Sequence, residues 1–297
     1  MTFQTFMQQL ANGISIGSLY ALIAIGYTMV YGILRLINFA HGDIFMMAAY
    51  FMVFSMVNFS LPWYLSTAIV LIATVALGVL IEKIAYKPLR DAPRMSIMIS
   101  AIGVSFLLEN LATYLFTGVP KGFPDIAILT KSVSIGGVTL SIATIVTPIV
   151  TILLLLCVLF ITNKTKIGMA MRAVSRDYET ARLMGIKINM VISATFIIGS
   201  GLAAIGAVLW GTKYPSVMPL MGVMPGLKCF IAAVLGGIGN TTGAVLGGFI
   251  LGMAEIMLVS FLPSLTGYRD AIAFIILIVV LIVKPTGLLG EKVTDKV

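Results

Sequence analysis

Residues that could do chemistry interrupt an apolar stretch near the start of this sequence. Asn38, His41, Gly42 and Asp43 fall within six residues of one another. A charge at the centre of a bilayer costs about 2.5–3.5 kcal/mol on insertion scales, so ionisable residues persist there where they face a protein interior or a water-filled path. Gly42 also favours a helix break, whose freed backbone groups could line a cavity. The alternative is an interfacial turn with Asp43 in water, which the neighbouring Arg35 favours.

A second break divides a later apolar run, Gly226–Phe261, at the sequence GGIGN of Gly236–Asn240. Transporters often bind substrate where interrupted segments from two halves of the chain meet. Residues 37–43 and 238–244 therefore suggest a weak internal repeat, with chance similarity between glycine-rich breaks as the alternative.

Three tyrosines complete the candidate pathway. Tyr20, Tyr27 and Tyr31 share one helical face, because they are spaced i, i+7 and i+11. This pattern is typical either of helix packing or of a pore-lining stripe. The residues predicted to line a substrate pathway are Asn38, His41, Tyr20, Tyr27, Tyr31, Gly237, Gly239 and Asn240.

Three further ionisable residues lie in apolar runs. Glu109 could snorkel outward or face the interior, and the sequence leaves both open. Lys228 and Glu255 could be buried partners or a substrate clamp, although we expect Lys228 to snorkel near the outer interface.

Composition indicates the setting of these residues. The chain has 297 residues, of which 60% are hydrophobic and 10% charged, and its mean hydropathy is +1.10. Soluble domains carry about 25% charged residues. We therefore predict an all-α polytopic membrane protein with about eight transmembrane helices, some of them broken or re-entrant. We expect one transmembrane permease domain over residues 1–297.

The eight spans follow from the apolar runs, and the sequence VSIGGVTLSI between two of them predicts a β-hairpin. The predicted spans are Ile14–Leu34, Ile44–Asn58, Tyr64–Ile81, Met95–Phe116, Ser141–Ile161, Met190–Trp210, Gly226–Phe261 and Ala271–Val283. Most of the 19 lysines and arginines fall in Lys83–Arg94, Asn163–Asn189 and the C-terminal tail. Because basic loops remain in the cytoplasm, we place these segments and the C-terminus there.

The charged segment 163–189 contains a predicted short helix. Asp177 is suited to N-cap a helix that runs to about Met184, with Gly185 just past its end. Asn189 could cap the next span. A helix of about eight residues is not stable alone, so it requires a partner surface.

The residue pattern of this short helix gives it two faces. Tyr178, Ala181 and Met184 form a small apolar face, and Glu179 can pair with Arg182 on the exposed side.

The sequence Glu179-Thr-Ala-Arg-Leu-Met-Gly185 resembles the EAA-x3-G cytoplasmic motif of ABC-importer permeases, whose helix docks in a groove of the ATPase. Thr180 replaces the first alanine of that motif, and the downstream Ile-x-Leu-Pro is absent. Residues 12–43, 168–186, 230–255 and 284–290 are similar, in order, to the H-type permease subunit of bacterial branched-chain amino acid ABC importers. Urea and short-amide permeases share these motifs.

The resemblance implies a subunit of the bacterial inner (cytoplasmic) membrane. Its partners would be a second homologous permease, two cytoplasmic ATPases and an extracytoplasmic substrate-binding protein. The residues implied to couple the chain to the ATPase are Asp177, Glu179, Ala181, Arg182 and Gly185.

The motifs absent from the sequence limit the function classes. No GxxxxGK[ST] loop occurs, so ATP hydrolysis is expected in separate subunits and no cofactor in this chain. HExxH and GxSxG are also absent, and one histidine with two unpaired cysteines makes a metal site or an intramembrane enzyme improbable. The net charge of +8 is distributed between apolar runs, which does not indicate nucleic-acid binding. An ion-coupled secondary carrier, with His41, Asp43, Glu109 and Glu255 as a titratable relay, stays open.

Overall fold

A computed structural model describes residues 2–90 and 92–290 of the chain. It is built from α-helices joined by short connections, with two small antiparallel β-pairs. The helices are α1 (Phe3–Leu34), α2 (His41–Val53), α3 (Trp63–Ile81), α4 (Arg94–Phe116), α5 (Ala127–Thr130), α6 (Ile142–Lys164), α7 (Lys166–Arg176), α8 (Tyr178–Leu183), α9 (Ile188–Lys213), α10 (Val223–Gly236), α11 (Thr241–Phe261) and α12 (Arg269–Val283). Wider π-helical turns extend α2 over Phe54–Asn58 and α3 over Glu82–Tyr86, and single 3-10 segments cover Lys87–Leu89 and Pro263–Tyr268.

The strands confirm the predicted hairpin. β2 (Ser132–Ile135) pairs antiparallel with β3 (Val138–Ser141), and β1 (Lys121–Gly122) pairs with β4 (Ser216–Val217). Gly136 and Gly137, which join β2 to β3, have φ values of 60° and 83°. A two-residue turn with both φ values positive fits the twist of a hairpin, and glycine adopts it without a steric penalty.

The all-α polytopic class is confirmed. Among the described residues, seven helices are long and apolar enough to cross a membrane. The largest difference from the predicted spans is at the first helix. α1 begins at Phe3 rather than near Ile14, since the helix extends past the apolar run and Gln8 donates a hydrogen bond to the Thr139 carbonyl of the hairpin. The predicted break in Gly226–Phe261 is confirmed, since α10 ends at Gly236, α11 begins at Thr241, and the two helices pack antiparallel.

The first helix, α1, is the centre of the bundle, with α9, α10 and α11 packed around it. Small residues bring the backbones together. A β-carbon on Gly17 would lie 2.8 Å from the Cα of Phe249, and one on Gly248 would lie 2.6 Å from the Cα of Ala21. Such close approach is typical of small-xxx-small helix interfaces in membranes.

The chain consists of two halves in which corresponding helices run in opposite directions. α1 packs on α9, α10 and α11, and α9 correspondingly packs on α1, α2 and α3. The short helices α2 and α10 each follow a break and begin side by side, where Gly42 lies against Gly222 and Gly226. The internal repeat predicted between 37–43 and 238–244 stays a prediction. By its packing, the break before α2 lies beside the start of α10, which follows residues 214–222.

Basic residues mark one end of the bundle. Arg35 follows α1, Lys87 and Arg90 follow α3, and Lys284 follows α12, with α7 and α8 on the same side. We call this the basic end. The opposite end carries the N-terminus, the β-hairpin and the turn Pro263–Tyr268. Lys292 and Lys296 of the predicted basic tail lie outside the described residues.

The close contact between α1 and α11 predicts that a substitution of Gly248 lowers thermal stability more than the same substitution of Gly103. Gly248→Val should lower the thermal midpoint of the detergent-solubilised protein, because overpacking costs about 1–3 kcal/mol. Gly103→Val is the matched control, since no atom lies within 4 Å of a β-carbon built there. Equal midpoints for the two variants in a thermal-shift assay would contradict the contact.

Candidate functional site

The polar residues of the first break are inside the protein. Asn38, His41 and Asp43 are all buried. Asn38 Oδ1 accepts a hydrogen bond of 2.7 Å from Tyr86 Oη, and Asp43 Oδ2 accepts one from Ser105 Oγ. The interfacial-turn alternative, with Asp43 in water, is therefore wrong.

His41 lies at the start of α2 against the middle of α1. Its ring centroid is 4.6 Å from that of Tyr27, and the two rings meet edge-on at 65°. A β-carbon on Gly26 would come within 2.6 Å of His41 Nε2, so only glycine leaves room for the imidazole. Within the described part of the chain, His41 Nε2 and Asn38 Nδ2 have no hydrogen-bond partner.

The three tyrosines of α1 are divided between two cavities along the line where α1 faces α10. Tyr20 lines a cavity of about 130 Å³ in the half of the bundle nearer the opposite end. Tyr27 and Tyr31 line a cavity of about 10 Å³ nearer the basic end. The first, which we call the charged cavity, is lined by Tyr20, Trp210, Tyr214, Met224, Pro225, Lys228 and Arg269. The second, which we call the apolar cavity, is lined by Tyr27, Thr28, Tyr31, Ile37, Phe230, Ala233 and Ile238.

The second break lies at the basic end and is sealed by the C-terminal segment. Gly237 and Gly239 have φ values of 108° and 96°, which favour glycine. Asn240 N-caps α11 by accepting from the Gly243 N–H, and its Nδ2 donates 3.0 Å to the Leu289 carbonyl. The N–H of Leu289 in turn donates 2.9 Å to the carbonyl of Gly236, at the end of α10. The Asn240 side chain and the Gly236 carbonyl are thus hydrogen-bonded within the chain.

Three residues that line the charged cavity, Tyr20, Lys228 and Arg269, belong to an ion-pair cluster with Glu255 and Asp270. Lys228 Nζ lies 2.8 Å from Glu255 Oε1 and 2.6 Å from Asp270 Oδ1. Arg269 Nε lies 2.8 Å from Glu255 Oε2, which also accepts from Tyr20 Oη at 2.9 Å. Glu255 is fully buried, whereas the Asp270 side chain is 52% exposed.

The position of Lys228 corrects the prediction that it snorkels to the outer interface. Its side chain is only 7% exposed and binds two carboxylates, so it is a buried partner of Glu255. The sequence signal for this ion pair was a lysine and a glutamate placed in two separate apolar runs. Arg269 and Asp270 were missed because their place at the start of α12 reads as an ordinary helix end.

The charged segment 163–189 contains the predicted capped helix, α8, and a second helix, α7, that was not predicted. Asp177 N-caps α8 by accepting 3.1 Å from the Thr180 N–H, and Gly185 just beyond it has a φ of 80°. The helix ends at Leu183, one residue earlier than predicted. The unpredicted helix, α7, is N-capped by Thr165 and buries Met171 and Val174 against the bundle. The sequence signal for it was the spacing of these two apolar residues, three positions apart.

The predicted coupling residues differ in exposure. Ala181 is buried, whereas Glu179 and Arg182 are exposed and do not form an ion pair among the described residues. Leu183 and Met184 are 87% and 78% exposed. The exposed apolar surface at the end of α8 is therefore Leu183–Met184, since Ala181 packs inward.

Polar contacts fasten this segment to the transmembrane helices. Arg35 at the end of α1 donates 3.0 Å to the Ser175 carbonyl in the last turn of α7. Arg90 binds both the buried carboxylate of Glu82 and the side chain of Asn189. Asn189 therefore does not cap α9, which begins at Ile188 without a side-chain cap.

Comparison with known proteins gives a consistent result along the chain. Residues 9–281 match the family described as branched-chain amino acid transport system / permease component. The chain is 41% identical over 312 residues to the high-affinity branched-chain amino acid transport system permease protein LivH of Salmonella typhimurium, covering 99% of both chains. It is 41% identical to the corresponding BraD protein of Pseudomonas aeruginosa, covering 98% of both. Among solved structures, PsaBC from Streptococcus pneumoniae in complex with Fab has a TM-score of 0.50 at 12% identity, over 93% of this chain and 91% of that one, which is a likeness of fold.

The ion-pair cluster predicts a large cost for removing its central carboxylate. Glu255→Gln should destabilise the protein by about 3–5 kcal/mol, because breaking a buried pair leaves uncompensated charge on Lys228 and Arg269. Asp125→Asn is the control, since Asp125 is exposed in a connecting loop. Denaturant titration of the solubilised protein measures the difference, and equal stability of the two variants would show that the cluster adds nothing to the fold.

Proposed function

Because this chain belongs to the family of permease components of branched-chain amino acid transport systems, we propose that it forms half of the translocation pathway of an ATP-binding cassette importer. Its substrates are branched-chain amino acids, which an extracytoplasmic binding protein delivers. The observation that carries this proposal is identity of 41% over 99% of the chain to a relative named for that transport. ATP hydrolysis belongs to separate subunits, as the absence of a phosphate-binding loop in the sequence suggests.

We propose that the pathway follows the α1–α10 line on which both cavities lie. Tyr20, Tyr27 and Tyr31 project toward it over eleven residues, or about 16 Å of helix. Tyr27 lies between Tyr20 and Tyr31 on α1, and we infer that it keeps the two cavities apart. His41 packs against Tyr27, and we assign Asn38, Gly237, Gly239 and Asn240 to the same pathway because Ile37 and Ile238 beside them line the apolar cavity. Transport requires Tyr27 and its His41 contact to move aside.

The basic end faces the cytoplasm in this proposal, because basic loops are retained there. The C-terminus and the segment α7–α8 then lie on the side where ATPases act. We propose that the whole chain works as one transmembrane unit in the bacterial inner membrane, paired with a second, homologous permease.

The segment α7–α8 is the proposed ATPase contact. α8 is too short to be stable alone and presents Leu183 and Met184 to solvent. Such exposed apolar residues, beside Glu179 and Arg182, are suited to a groove in a partner. The hydrogen bond from Arg35 to Ser175 gives a direct mechanical link from this contact to the end of α1.

Reconstitution tests the transport proposal. Vesicles containing this chain with its partner permease and ATPases should take up leucine only with the binding protein outside and ATP inside. Uptake by the single chain under an imposed ion gradient would instead show a secondary carrier. Uptake of urea in place of leucine would assign the system to the amide permeases.

The ATPase contact predicts a loss of coupling without a loss of folding. The double change Leu183→Ser and Met184→Ser should reduce ATP-driven uptake at least about tenfold, since apolar anchors dominate such contacts. The chain should still insert and purify, because both side chains are exposed. Leu262→Ser, at the opposite end and 48% exposed, is the matched control. Normal uptake by the double variant would remove α8 from the contact.

A further inference from the structure

The charged cavity has a chemical character that the transport assignment alone does not explain. It is the larger of the two cavities on the α1–α10 line, and two cations, three aromatic rings and one methionine line it. We propose that this cavity binds the amino acid itself as a zwitterion, whose carboxylate binds the lining residue Lys228 and whose ammonium binds Asp270, the carboxylate 2.6 Å from Lys228. The inference rests on the proposed function and adds to it a site and a rule for substrate recognition.

The ion pair between Lys228 and Asp270 is the one that a ligand can replace most easily. Lys228 binds Glu255 at 2.8 Å and Asp270 at 2.6 Å, but the two carboxylates differ in their access to water. Glu255 is fully buried, so separating it from Lys228 would leave a buried charge unpaired. The Asp270 side chain is 52% exposed, so separating it from Lys228 leaves a far less desolvated charge than separating Glu255 would. A ligand therefore enters at Asp270 and leaves the Glu255 contacts intact.

A zwitterion preserves the charge balance during this exchange. The ligand carboxylate replaces Asp270 on Lys228, and the ligand ammonium then pairs with Asp270. The number of opposite-charge contacts does not fall, so no charge is left desolvated without a partner. A carboxylic acid without the amine, or an amine without the carboxylate, leaves one charge unmatched. A neutral amide such as urea cannot replace either group.

The remaining walls suit an aliphatic side chain. The Trp210 ring lies 6.1 Å from the ring of Tyr20 and 4.8 Å from that of Tyr214, centroid to centroid. Met224 completes this apolar side and adapts readily to branched shapes. The volume of about 130 Å³ is well above the 10–15 Å³ that a single water needs, so the cavity holds a small ligand.

Binding of radiolabelled leucine to the assembled permease–ATPase complex, without the binding protein, tests the site. We expect Asp270→Asn to weaken leucine binding at least about tenfold, the effect of losing one ion pair to the ligand, with Asp125→Asn unchanged. Unlabelled leucine should compete at least about tenfold better than leucinamide or 4-methylpentanoate, since each lacks one charge. Met224→Trp, which fills the cavity from its partly exposed wall, should also abolish binding while the complex still assembles.

Three outcomes would overturn the site. They are an unchanged affinity in both Asp270→Asn and Met224→Trp, equal competition by all three compounds, and no saturable leucine binding to the wild-type complex. If any of these occurs while vesicles still import leucine with ATP, the transport proposal stands and only the site is wrong. If vesicles do not import leucine at all, the proposed function fails first.

Discussion

Lipid offers no hydrogen bonds, so every backbone group freed by a broken helix must be satisfied inside the protein. Two such breaks, before α2 and before α10, determine the arrangement of this bundle. The short helices that follow them begin against each other at Gly42 and Gly222, where a side chain on either residue would strike the other backbone. A third irregular turn, after α10, is closed by backbone hydrogen bonds from Leu288 and Leu289. These three irregular stretches are thus covered by other parts of the protein.

The same constraint explains why polar residues collect along α1. This helix is enclosed by α9, α10 and α11, so side chains on its inner faces are removed from lipid. Tyr20 can therefore donate to a buried glutamate, and Tyr27 can contact a buried histidine. The cost of burying Lys228 is offset because two carboxylates bind it. A helix on the outside of the bundle could not carry these groups.

The arrangement also connects the two ends of the molecule. Arg35 ties the end of α1 to α7, and α1 runs from there past the apolar cavity to Tyr20 in the wall of the charged cavity. In the importer that we propose, a displacement of α7–α8 would reach both cavities through one continuous helix. Rigid helices of this kind carry coupling when they have two discrete positions.

The sequence alone determined the class, most helix positions, the hairpin and the capped helix at Asp177, because hydropathy, glycine pairs and capping residues act locally. It also determined that residues 36–43 and 236–240 interrupt helices. Only the tertiary structure decided which segments meet, since Gly42 lies against Gly222 and Gly226, and Ile37 and Ile238 line the same apolar cavity. The sequence offered Lys228 and Glu255 as possible partners, but only the tertiary structure showed that they pair and that Asp270 joins them, because ion pairs across three helices depend on packing. The exposed surface of α8 was likewise decided by packing, which buries Ala181 and leaves Leu183 and Met184 free for a partner.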